Sequence, residues 1–328
     1  MLSRVLLLLT AGELLLYSAL ALRAGHGYAA ALGLAMVGHL SLLAGLVVFS
    51  YLVAWPLGGY RPPQARIGPV RAVRGLLREI VAMVVVYSWV QPLAPWLRRP
   101  PRHTHLGGGA DDLPPVILVH GFLCNSGFWW WLRRYLGAAG FRRIYSVELE
   151  PLLVDIDELG DALAARVQEV RARTAASRVL LVGHSMGGLV IRAYLRHPPH
   201  AAAVQGVVTL AAPHQGSKLA WLAIGRNGAQ MRSDSAWLRA LAADEQSAKR
   251  PPMVSIFSWH DNLVAPHESA VLPGAAAVGV SEIGHLAVGF SARVAALVVE
   301  YLRAYASAPT RLRPEDAQEA GAAPSGTS

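Results

Sequence analysis

Charge is scarce in this sequence: Asp, Glu, Lys and Arg together make up 16% of 328 residues, where an ordinary soluble domain carries about 25%. With 53% hydrophobic residues, that scarcity excludes a chain disordered throughout and a highly charged nucleic-acid binder. Cysteine is nearly absent. Cys124 stands alone, so no internal disulfide staples the fold, and the redox compartment is left open. Acids are missing from one region in particular, for the first 102 residues hold ten arginines against Glu13 and Glu79. The formal charge of +9 therefore belongs to the N-terminal third, and the remainder is close to neutral.

What fills that third is apolar. Residues 2–22 are interrupted by Arg4 and Glu13 alone, and residues 28–55 only by His39. Each run is long enough for a bilayer core of about 30 Å, and the short break Arg23-Ala24-Gly25-His26-Gly27 makes the pair a helical hairpin. A secretory signal peptide is the competing reading of the first run, but no A-x-A-like site precedes a polar mature start. Glu13 needs no more than a polar neighbour inside the hairpin. Arg61, Arg66, Arg71, Arg74 and Arg78 follow the second run, whereas the turn between the runs has only Arg23. The positive-inside rule places the richer loop in the cytoplasm. A third stretch, residues 80–97, is broken by Gln91, Pro92 and Pro95 and followed by Arg98, Arg99 and Arg102. Basic residues on both sides favour an interfacial segment, with Trp89 and Trp96 at headgroup level, over a third span. The first option puts the rest of the chain on the cytoplasmic side of a bacterial inner (plasma) membrane; the second puts it in the periplasm.

Residues 103–115, with Gly107-Gly108-Gly109, read as a linker. Beyond it, short β-branched runs at 116–119, 143–147, 179–182, 204–210, 253–257 and 276–280 alternate with helical patterns at 156–174, 186–196 and 291–305. The alternation predicts an α/β domain over 116–306, with a mostly parallel sheet covered by helices on both faces. Residues 218–250 carry Trp221, Leu222, Ile224, Met231, Trp237, Leu238 and Leu241 and form an insertion, either a mobile lid or a static cap. The Trp129-Trp130-Trp131 run opens a helix of mostly core side chains. Residues 307–328 are a disordered tail, and no internal repeat is visible.

The chemistry falls at strand ends. Gly183-His184-Ser185-Met186-Gly187 lies between a strand and a helix, the context in which G-x-S-x-G presents a serine nucleophile on a sharp turn. A hydroxyl needs a base and the base needs an orienting acid; the order for this architecture is Ser, acid, His. His285 follows the last strand and precedes the last helix, where the base belongs. Asp261 follows the strand at 253–257 and is the acid, with Glu268 and Glu282 as competitors. His197, His200, His214, His260 and His267 have ordinary structural readings. The backbone N–H groups of Phe122, in the loop after the first strand, and of Met186, next to the nucleophile, form the oxyanion hole. His120 holds that loop.

At His120-Gly121-Phe122-Leu123-Cys124-Asn125, Gly183-His184-Ser185-Met186-Gly187, Ala212-Pro213-His214-Gln215-Gly216-Ser217, Asp261 with Leu263-Val264, and Gly284-His285-Leu286, the sequence resembles the bacterial triacylglycerol lipase and esterase family of α/β-hydrolases. The resemblance covers about residues 115–305. It implies the α/β-hydrolase fold with a small cap, preceded here by a helical membrane region, and an acyl-serine intermediate with no redox cofactor. No acidic cluster matches the structural calcium some members bind, so no metal is expected. The implied partners are a lipid or other acyl-ester substrate and the membrane, with no nucleic acid. The same triad could serve an acyltransferase or thioesterase, and a non-catalytic membrane scaffold is the rival from another class. The membrane hairpin sets the chain apart from secreted lipases.

Overall fold

The computed structural model describes residues 1–97, 113–245 and 250–307. Arg98, Arg99 and Arg102, most of the expected linker and nearly all of the expected tail lie outside the described residues. Two helices, α1 (Leu2–Arg23) and α2 (Tyr28–Ala54), pack against each other as a hairpin. At 1.5 Å per residue they reach about 33 and 40 Å, enough by length and composition to cross a bilayer. Inside the hairpin Glu13 meets His39 Nδ1 at 3.0 Å, and His39 Nε2 meets Ser88 Oγ at 2.8 Å.

The arginine-rich helix α3 (Pro69–Val84) continues through a π-helical turn, Val85–Val90, to the short α4 (Ala94–Leu97). Its inward residues Gly75, Glu79, Ala82, Val86 and Val90 recur at three- and four-residue spacing and are buried. Ala82, Val86 and Val90 belong to the same hydrophobic cluster as the strands of the C-terminal domain. Part of the stretch read from sequence as interfacial or spanning thus packs on the domain core.

In that domain six strands form one parallel sheet of order β2-β1-β3-β4-β5-β6. They are β1 (Val116–Val119), β2 (Ile144–Val147), β3 (Val179–His184), β4 (Val204–Leu210), β5 (Met253–Ser258) and β6 (Ala276–Val280). Side chains alternate between faces along a strand, and here both faces are apolar. Val116, Leu118, Leu180 and Val182 point into one cluster, and Ile117, Val119, Val179 and Leu181 into the other. The first is covered by α5 (Trp130–Ala138), the α3 extension and α11 (Ala292–Ser307). The second is covered by α6 (Ile156–Thr174), α7 (Met186–Leu195) and part of the insertion.

The remaining helices are short: α8 (Pro198–Ala202), then α9 (Gly225–Gln230) and α10 (Ala236–Glu245) in the insertion after β4. Strand order reverses between β1 and β3, and such a switch point opens a crevice at the carboxyl ends of the strands. The loops after β1 and β3 carry the two motifs singled out from the sequence.

Candidate active site

Ser185 sits at φ 54°, ψ −126° between β3 and α7, a backbone region that L-residues enter at a cost and that marks functional turns. The flanking glycines make the turn possible. A Cβ on Gly187 would collide with the carbonyl of Val119, and one on Gly183 would lie 2.7 Å from Ile191 Cδ1. Met186 opens α7, so its N–H belongs to the unpaired first turn of a helix whose dipole favours negative charge. Phe122, after β1, and His285, after β6, line the same pocket as Ser185.

Asp261 leaves the end of β5 and is buried with His285, its Oδ2 2.9 Å from His285 Nδ1. Its Oδ1 also accepts the N–H groups of Leu263 and Val264, each at 2.8 Å. Burial alone would raise the Asp261 pKa, but the His285 charge and these hydrogen bonds outweigh it and leave the carboxyl below its ordinary value. For His285 burial pulls the pKa down; the charge and hydrogen bond of Asp261, with Glu79 adding to them, leave it above the ordinary 6.5. The competing acids are engaged elsewhere. Glu282 pairs with Arg71 and Arg74, each at 2.8 Å, and these hydrogen bonds lower its pKa to about 2. Glu268 lies against Gly59.

Several residues around His285 were not singled out from the sequence. Glu79 of α3, fully buried, accepts the N–H groups of Leu286 at 2.8 Å and Ala287 at 2.9 Å. Burial raises its pKa to about 7 against the pull of those bonds and of His285. Asn262 accepts the N–H of His285 at 2.9 Å and donates to Ser50 Oγ of α2 at 2.8 Å. His184 Nε2 lies 3.0 Å from the His285 carbonyl; burial first, then the His285 charge, takes its pKa to about 3, so it is a neutral ring donating to that oxygen. The loop after β1 is held in the same way. Leu149 N–H donates to His120 Nε2 at 3.1 Å, Asn125 N–H donates to Gln91 Oε1 at 2.7 Å, and the Asn125 amide donates to Ser3 Oγ at 3.0 Å. The Pro213-to-Ser217 motif braces the acid, since Ser217 Oγ donates to the Leu263 carbonyl at 2.7 Å.

The pocket has a volume of about 330 Å³. Leu219, Leu222, Met231 and Leu263 line it from the domain, and Phe49, Ser50 and Tyr87 from the N-terminal helices. None of the three consecutive tryptophans lines it; Trp129 is fully buried in the core. The insertion is tied down at its far end, where buried Arg192 and Glu245 pair at 2.8 Å and Trp237 Nε1 donates to Asp157 at 2.8 Å. Its near end leaves Trp221, Leu222 and Ile224 exposed.

Known proteins resemble parts of the chain. Residues 153–274 match the PGAP1-like alpha/beta domain. A triacylglycerol lipase of Pseudarthrobacter phenanthrenivorans is 35% identical over 114 residues, covering 32% of this chain and 35% of the relative. That of Burkholderia plantarii is likewise 35% identical over 114 residues, covering 32% and 31%. The chain thus spans about a third of the length of the curated relatives it matches. The mature Bacillus licheniformis lipase BlEst2 superposes with a TM-score of 0.54 at 19% identity, covering 62% of this chain and 96% of that one. Aspergillus fumigatus lipase B gives 0.55 at 21% identity, covering 61% and 54%. The domain has the α/β-hydrolase fold of these lipases. A fold does not by itself fix a chemistry, so Ser185, Asp261 and His285 are candidates on the geometry of the site.

Proposed function

We propose that this α/β-hydrolase is a membrane-anchored serine ester hydrolase that cleaves carboxylic esters of apolar acyl chains. Ser185 Oγ attacks the ester carbonyl while His285 takes its proton, and Asp261 holds the ring tautomer and stabilises the imidazolium that forms. The N–H groups of Phe122 and Met186 receive the oxyanion. The alcohol leaves with the proton from His285, and water, activated by the same ring, releases the acid from acyl-Ser185. The observation that carries the reading is the buried Asp261–His285 pair at 2.9 Å opening onto an apolar pocket with Ser185 at its strained turn.

Substrate class follows from the pocket wall. Phe49 and Ser50 lie near the domain end of α2, and Phe49, Leu52 and Trp55 expose 54, 68 and 76% of their surface. With α1 and α2 in a bilayer, an acyl chain reaches the serine from the lipid phase without crossing water. The test is a fluorophosphonate probe on the full chain. Ser185 is expected to be labelled, and Ser185→Ala to lose both labelling and ester hydrolysis; equal labelling of the alanine variant would move the nucleophile elsewhere.

A further inference from the structure

Helix α3 turns one face to the domain and leaves the other open. Val70, Val73, Leu77 and Val81 are 80, 55, 56 and 61% exposed, an apolar stripe at helical spacing beside Arg71, Arg74 and Arg78. A helix with an apolar face and an arginine-rich flank suits the membrane–water interface. Beside it runs a groove of about 710 Å³ between α3 and residues 281–293 of the hydrolase domain. It is separate from the Ser185 pocket, and the Ser185 mechanism makes no use of it.

The groove is polarised along its length. Arg74, Arg78 and Arg293 line it together with Val81, Val85 and Phe290. Glu282 lines it too, but its carboxylate is already held by Arg71 and Arg74. Among the described residues Arg78 and Arg293 have no acidic partner within ion-pair distance. From Arg74 to Val85 the helix rises about 16 Å. Helix α3 packs on α2, and just beyond its end Ser88 meets His39 near the middle of α2. If α2 crosses a bilayer, the arginines lie at headgroup depth and Val81 and Val85 at acyl-chain depth.

We propose that this groove binds an anionic phospholipid of the bilayer, with its phosphate between Arg78 and Arg293 and one acyl chain along Val81, Val85 and Phe290. The charge of the groove selects the class. Two guanidinium groups without an acidic partner match a headgroup of net negative charge, and the lining holds no acid left over for the ammonium of a zwitterionic lipid. The inference rests on the membrane placement of α1 and α2 and not on hydrolysis, so it can fail while the serine mechanism stands, and the reverse.

The test is native mass spectrometry of the full chain in nonionic detergent with equal amounts of phosphatidylglycerol and phosphatidylcholine. Phosphatidylglycerol is expected to be retained at least tenfold better, as a single adduct. Arg78→Gln with Arg293→Gln is expected to abolish that preference and leave phosphatidylcholine retention unchanged. A circular dichroism melt matching the parent would show that this variant folds; should it not, Arg78→Lys with Arg293→Lys, which keeps the charge, must retain the preference. Equal retention of the two lipids by the parent chain, or a preference that survives the Gln pair, overturns the proposal. Displacement of the adduct by millimolar inorganic phosphate overturns it as well, since the site would then read free phosphate and not a bilayer lipid.

Discussion

His285 carries two opposing influences, and their balance predicts how the proposed hydrolase responds to pH. In the proposed mechanism only the neutral ring can take the proton of Ser185, and Asp261 holds its pKa above the ordinary 6.5 against burial. A raised pKa keeps the ring charged to higher pH, so kcat/KM is expected to fall as pH drops through a midpoint above 6.5. A pH–rate profile on a soluble short-chain ester measures it. Removing the acid tests the other half of the pair. Asp261→Asn is expected to lose on the order of 10² to 10⁴ in kcat while the chain stays folded. Glu268→Gln and Glu282→Gln are each expected to lose less than about tenfold, because Glu282 is bonded to Arg71 and Arg74 and Glu268 lies against Gly59. Collapse of activity in either Glu variant, with Asp261→Asn near full rate, would reassign the acid. Sequence alone pointed to these three acids because each lies close to a strand end or to His285; their hydrogen-bond partners are what separates them.

At the scale of elements, the strands and the serine turn were legible because their signals are local: β-branched runs for the sheet, and glycines at 183 and 187 that the turn itself demands. The supports of the His285 loop and of the loop after β1 were not. Glu79 and Gln91 sit in or beside an apolar stretch whose composition argues for membrane, and their partners are separated from them by 207 residues for Leu286 and 34 for Asn125. No periodicity in a single chain encodes such a pairing. The result is that α3 is a positioning element, with Glu79 holding two consecutive N–H groups just after His285 and adding negative charge near the ring. Glu79→Gln removes the charge and turns an amide NH2 toward one of those N–H groups. The expected outcome is a kcat loss on the order of tenfold, with the acid limb of the pH profile moved to lower pH and KM little changed. A uniform loss of activity with an unmoved profile would reduce Glu79 to a packing role.

At the scale of the molecule, the ion pairs between α3 and the hydrolase domain bear on the proposed membrane topology through residues 80–97. If that stretch crossed the bilayer, Arg71 and Arg74 would face one side and the domain the other. Both arginines instead reach Glu282 of the domain at 2.8 Å, and the chain returns to the domain at Gln91, which accepts from Asn125. In the proposed membrane placement, the loop that follows α2 and the hydrolase domain share a side. Charge then selects which side: Arg61, Arg66, Arg71, Arg74 and Arg78 flank the domain end of α2, against Arg23 at the hairpin turn, and translocation disfavours the richer flank. The prediction is a cytoplasmic domain on a hairpin whose turn faces out. A green fluorescent protein fused after Ser307 should fluoresce, and alkaline phosphatase fused there, which matures only in an oxidising compartment, should stay inactive. Active phosphatase with a dark fluorescent fusion would place the domain outside. Because the ion pairs bind loop and domain together, that outcome would mean that the whole arginine-rich flank had been translocated against its charge.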